Sequence, residues 1–139
     1  MARPLAAVPF RVWAVFHGLL VLAQVGAAGA LLDAVGPALA WHGGIGGSLI
    51  LVAMVQTVLA VPAVWPGGMP VWPLAVSAVL VVADTAQVAI GHAGLLTLHV
   101  PLGIAVVVTQ VVVAVRALRP ARPAARTADR APVLRPSRR

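Results

Sequence analysis

The chain has 139 residues, 61% of them hydrophobic and 9% charged, and carries a formal charge of +7. A soluble domain of this length has about 25% charged residues to solvate its surface, whereas the first 115 residues here contain only Arg3, Arg11, Asp33 and Asp84. A soluble globule, a disordered chain and a secreted disulfide scaffold are excluded, and an integral membrane protein remains. Cysteine, glutamate, lysine and tyrosine are absent. Thiol chemistry and covalent c-type haem attachment are therefore excluded.

Four apolar stretches are predicted to span, at roughly 12–32, 38–61, 71–90 and 95–115. Each holds the ~20 apolar residues that a spanning helix requires. The first is longer than the core of about 7–15 residues of a signal peptide. Although Ala28-Gly29-Ala30 offers a small-residue cleavage pattern, a retained span is the expectation. The connections Asp33–Pro37, Pro62–Pro70 and Gly91–Gly94 are short and rich in Pro and Gly, which end helices. Short connections force neighbouring helices antiparallel. The expected fold is all-α, an up-down four-helix membrane bundle.

Residues 1–11 and 116–139 flank the predicted bundle. Arg3 and Arg11 precede it, and eight arginines from Arg116 to Arg139 follow it. The loops between helices 1 and 2 and between helices 3 and 4 carry no basic residue except His92. By the positive-inside rule both termini are expected in the cytoplasm of a bacterial plasma membrane. Trp13, Trp65 and Trp72 are then expected at the inner interface and Trp41 at the outer one. The Arg/Pro-rich tail is expected to be disordered and to lie near anionic lipid, with no nucleic-acid partner expected.

The polar residues fall in stripes. In helix 2, His42, Gly46, Leu49, Ala53 and Gln56 recur at steps of 4, 3, 4 and 3, which is one helical face. In helix 4, His99, Gly103, Val106 and Gln110 follow the same steps of 4, 3 and 4. His17 and Gln24 share a face of helix 1, and Ser77, Asp84 and Gly91 share a face of helix 3, with Gln87 one turn after Asp84. Polar side chains are costly in hydrocarbon, so these stripes are expected to face the bundle axis.

A weak two-helix repeat accompanies the stripes. LAQVGAAG in helix 1 is similar to TAQVAIGHAG in helix 3, and HGGIGGSLILVAMVQ in helix 2 to HVPLGIAVVVTQ in helix 4. His42 lies five residues after Pro37 and His99 five after Gly94, so both are expected about one turn below the outer surface. A parallel repeat turns about an axis along the membrane normal, which would set the two imidazoles facing each other. Two facing imidazoles are the donor set for a haem iron. Gly46 and Gly103, one turn further on, would leave room for the macrocycle. Gln24, Gln87, Asp84 and the backbone carbonyls near the helix starts are candidates to hydrogen-bond the second nitrogen of each ligand. The competing reading is packing, since Gly and small-residue spacings also serve helix association. His92 is expected to be solvated and His17 to be a packed polar residue.

WHGGIG in helix 2 and LHVPLG in helix 4 resemble the haem-ligand helices of one four-helix half of haem A synthase. That resemblance implies His42 and His99 as axial ligands of haem b. Leu39 and Gly43 stand where the family's catalytic half carries Glu and Arg, and the outer-loop cysteine pair is absent. What is implied is haem binding without haem A synthesis. The chain is also similar to a group of small bacterial four-helix membrane proteins with His-x-x-x-Gly in helices 2 and 4. The resulting expectation is a b-type haem protein in electron transfer or haem handling near the outer face, served by a redox partner or a quinone. Two readings stand beside it. One is a non-enzymatic scaffold or accessory subunit without cofactor; the other is a small transporter acting as a homo-oligomer.

Overall fold

The computed structural model describes residues 5–119. A 3-10 turn, Leu5–Ala7, leads into α1 (Val8–Leu32), followed by α2 (Ala38–Val64), α3 (Trp72–His92) and α4 (Leu96–Leu118). All four helices are long and apolar enough to cross a membrane, and no strand occurs among the described residues. The chain is a four-helix bundle of the multi-pass membrane type. Arg3 and the tail beyond Arg119 lie outside the described residues.

Three helices run beyond their predicted ends. Helix α1 starts at Val8, four residues before the predicted 12. Pro9 sits in its first turn, where the missing N–H costs nothing and the fixed φ is already helical. Ala7 and Phe10 are buried, which anchors the extension. Helix α2 runs through Pro62 to Val64 rather than ending at 61. One lost hydrogen bond near its end is outweighed by burial of Ala60, Ala63 and Val64. Helix α4 extends to Leu118, so Arg116 belongs to its last turn and not to the tail.

Helix α3 ends in a Schellman motif. Gly94, at φ +70°, donates to Gly91 while Leu95 donates to Ile90. Helix α1 ends in the same way with Ala34 in the left-handed position, φ 56°. These compact reversals turn the chain within a few residues and keep consecutive helices adjacent. Helix α1 packs against α2 and α4, and α3 against α2 and α4. The pairs α1/α3 and α2/α4 are therefore diagonal.

The interior is layered. At the end that carries Val8 and Leu118, Phe10 packs among Ala7, Ala14, Ala60, Ala63, Val113 and Ala117. A polar layer of His17, Gln56, Ser77 and Gln110 comes next, then an apolar layer of Ala53, Leu80 and Val106. Asp84 is buried one turn beyond Leu80, and the opposite end holds His42 and His99. The inward stripes are the ones predicted. Many large apolar residues, among them Leu19, Leu51, Val79, Val82 and Ile104, point outward. That inversion is costly in water and natural in lipid, where packing and hydrogen bonds rather than water exclusion hold helices together.

Trp65 and Trp41 are exposed at opposite ends of α2, and Trp72 opens α3 beneath the Arg116 guanidinium, 5.4 Å from the ring centroid. Trp13 is half-buried. Its indole N–H donates to the Val52 carbonyl at 2.9 Å and ties α1 to α2.

Candidate functional site

His42 and His99 come together across the α2/α4 diagonal, with ring centroids 6.0 Å apart and planes at 63°. Each is placed by its helix one turn past the loop, on the stripe that faces the axis. The two are held by nearly equivalent devices from the other diagonal pair. The Gln24 amide on α1 donates to the His42 carbonyl at 2.9 Å. The Gln87 amide on α3 donates to the His99 carbonyl at 2.8 Å. This is the two-helix repeat expressed as hydrogen bonds.

Gly46 and Gly103 share that symmetry. A Cβ on Gly46 would sit 2.9 Å from Gln24 Nε2, and one on Gly103 would sit 2.7 Å from Gln87 Nε2. The space that each glycine leaves is thus taken by a glutamine amide. Both amides are the far ends of flexible side chains.

The imidazoles are fixed differently. His99 Nδ1 lies 3.0 Å from the Gln87 carbonyl. A carbonyl only accepts, so Nδ1 carries the proton and Nε2 is left with its lone pair. His42 Nε2 has a long approach of 3.4 Å from the Gln24 amide, and its buried Nδ1 has no partner. Of the expected ring partners, the Gln24 side chain is present on the His42 ring, at the long end of hydrogen-bonding distance, while the Gln87 side chain and Asp84 are not ring partners. The His99 ring is served by the backbone of Gln87, while the Gln87 side chain serves the His99 backbone. No hydrogen bond joins Asp84 to either imidazole. Asp84 lies one turn before Gln87, too far down α3 for its short side chain to reach the rings.

Gly91 is a site residue that the stripe pattern marked without a role. A Cβ there would meet His99 Cε1 at 2.8 Å and Nδ1 at 2.9 Å. A ring tethered to Gln87 has little freedom to retreat. Gly91→Ala is expected to displace His99 and break its Nδ1 bond, at a cost of about 1–3 kcal/mol. Gly46→Ala, against a flexible amide, is expected to cost less than half as much. Thermal or denaturant unfolding in detergent checks the ranking.

A second polar cluster joins all four helices. His17 Nδ1–H donates to Gln56 Oε1 at 3.0 Å. The Gln56 amide donates to Ser77 Oγ at 3.0 Å and to Gln110 Oε1 at 3.1 Å. Gln110 in turn donates to Gln56 Oε1 at 3.0 Å and to the Ala14 carbonyl at 2.9 Å. All four side chains are 0% exposed. His17 is thus packed, as expected, with its Nε2 left unpartnered. His92 is exposed and donates to the Val88 carbonyl on its own helix.

Buried atoms without partners concentrate along the axis: His17 Nε2, Asp84 Oδ2, Gln24 Oε1, Gln87 Oε1 and His42 Nδ1. Three of these five belong to the His42/His99 shell. Buried polar groups are ordinarily satisfied by protein, water or a ligand, so this end of the bundle has unused bonding capacity. The described residues contain no group of three or more His, Cys, Asp or Glu able to hold a bare metal ion. In comparisons with known proteins, no family model, no curated protein and no solved structure matches this chain.

Proposed function

We propose that the bundle binds one b-type haem between His42 and His99. The observation that carries this reading is the 6.0 Å separation of the two rings across the diagonal. Two metal–nitrogen bonds of about 2 Å, plus the distance from each nitrogen to its ring centre, give a separation of about 6 Å. The donor chemistry fits as well. His99 Nε2 has a free lone pair because Nδ1–H is held by the Gln87 carbonyl, the backbone anchoring usual for metal-ligating histidine. A bound haem would supply a one-electron centre whose potential follows its surroundings.

The protein's own residues do the rest. Gln24 and Gln87 fix the backbone at each histidine. The apolar layer of Ala53, Leu80 and Val106 separates the site from the opposite half of the bundle. The resemblance to haem A synthase supports the same reading, and Leu39 and Gly43 in place of its Glu and Arg favour binding over haem A synthesis. The role we propose is electron transfer or haem handling, with a redox protein or a quinone as partner. Visible spectra of the protein expressed with haem supplementation test it. A Soret band with a sharp α band after dithionite reduction is expected, and a colourless protein overturns the proposal.

We further propose that both termini are cytoplasmic in a bacterial plasma membrane, from the arginine asymmetry. The absence of cysteine makes the test clean. A single cysteine replacing Gly36 is expected to react with an impermeant maleimide on intact cells. One replacing Ser137 is expected to react only after lysis, and the reverse pattern contradicts the orientation.

A further inference from the structure

The α1/α4 seam carries an open groove of about 130 Å³ near the helix ends that bear arginine. Its walls are Val15, Leu19 and Leu22 from α1 and Val111, Val115 and Leu118 from α4. Its floor is a close approach of small residues, since a Cβ on Gly18 would lie 3.2 Å from that of Ala114. Small residues at the contact and large ones beside it make a channel along the seam rather than a flat wall.

The walls continue into charge. Arg11 lies one turn before Val15 on the same face of α1, and Arg119 one turn after Val115, directly beyond Leu118. Arg11 Nε is buried with no partner. Arg116 is engaged elsewhere, over the Trp72 ring. The acidic groups among the described residues are Asp33 and Asp84. Asp33 caps the far end of α1, and Asp84 is buried in the half of α3 nearer His92. Neither can neutralise the two arginines, so their counter-charge must come from outside the described bundle.

We propose that this seam binds one anionic phospholipid. An acyl chain lies in the apolar groove, and the headgroup phosphate accepts hydrogen bonds from Arg11 and Arg119. The leaflet is the one on the side of the chain termini, whichever face of the membrane that is. A zwitterionic lipid would fill the groove equally well but would answer the two guanidinium charges less well. The site is independent of haem binding.

The test is native mass spectrometry of the full chain in mild detergent with equimolar phosphatidylglycerol and phosphatidylcholine. One retained phosphatidylglycerol per chain is expected, preferred roughly thirtyfold for two arginines. The Arg11→Gln/Arg119→Gln protein should lose most of that preference. The charge-matched Arg135→Gln/Arg138→Gln protein should keep it. Leu19→Trp, at a rim position 63% exposed, fills the groove without touching the Gly18–Ala114 contact and should lower retention of both lipids. Equal retention of the two lipids overturns the proposal. So does an undiminished preference in Arg11→Gln/Arg119→Gln, or a dimer whose second copy occupies the groove.

Discussion

Replacing His42 or His99 with alanine is expected to abolish the sharp reduced α band, while the fold survives. Each imidazole is half-buried at the end of the bundle, and neither belongs to the apolar cores built around Phe10 and Leu80. The glutamine anchors grip the backbone carbonyls of residues 42 and 99 rather than the rings, so they persist in the alanine proteins. Ligand loss is thereby separated from unfolding. The two variants should differ in kind from Gln87→Ala. That substitution removes the amide anchor of the His99 carbonyl but keeps the backbone carbonyl that orients the His99 ring. It should weaken binding by about 10–100-fold, the usual range for an outer-shell partner, without changing the ligands. If the α band survives in both His42→Ala and His99→Ala, the ligand pair is wrong.

The largest effect on stability is expected at Gln56. Its amide and carbonyl join His17, Ser77 and Gln110, so Gln56→Leu strands groups on three helices at once. A stranded buried group costs about 1–3 kcal/mol in general. Hydrogen bonds inside membranes are worth less, averaging about 0.6 kcal/mol, because the unfolded chain also finds partners there. Weighing the two, Gln56→Leu should cost about 2–4 kcal/mol in a reversible denaturant titration. Ser48→Ala removes only an exposed bond to the carbonyl of Ile45, and should fall within about 0.5 kcal/mol of the parent. Removing the whole layer with His17→Phe, Gln56→Leu, Ser77→Ala and Gln110→Leu should cost less than the sum of the single changes, since no stranded partner remains. Strict additivity would show that the four groups do not act as one network.

Much of this architecture was legible because a membrane simplifies the sequence code. Polar residues that appear every three or four positions in an apolar helix must face the axis. His17, Gln24, His42, Gln56, Asp84, Gln87, His99 and Gln110 all turn toward it. Depth was legible too, since 1.5 Å of rise per residue counted from Pro37 and Gly94 sets His42 and His99 at one level. What spacing does not carry is the path of a long side chain. Gln56 lies 14 residues after His42 and Gln110 lies 11 after His99, yet the two amides bond each other. Their reach absorbs the three-residue offset. Spacing likewise marked Gly46 and Gly103 as gaps without naming the Gln24 and Gln87 amides that enter them. The end of helix 2 was misplaced at Pro62, because proline ends a helix only where packing does not hold the adjoining turns, and the apolar span of helix 1 hid the turn that carries Arg11.

The proposed site takes one haem per chain, between His42 and His99. A hemin titration of the purified apo-protein, followed in the Soret region, tests it most directly. A saturable shift with an endpoint at one haem per chain is expected, absent from the His42→Ala/His99→Ala double variant. A titration with no endpoint, or one that the double variant reproduces, would contradict it.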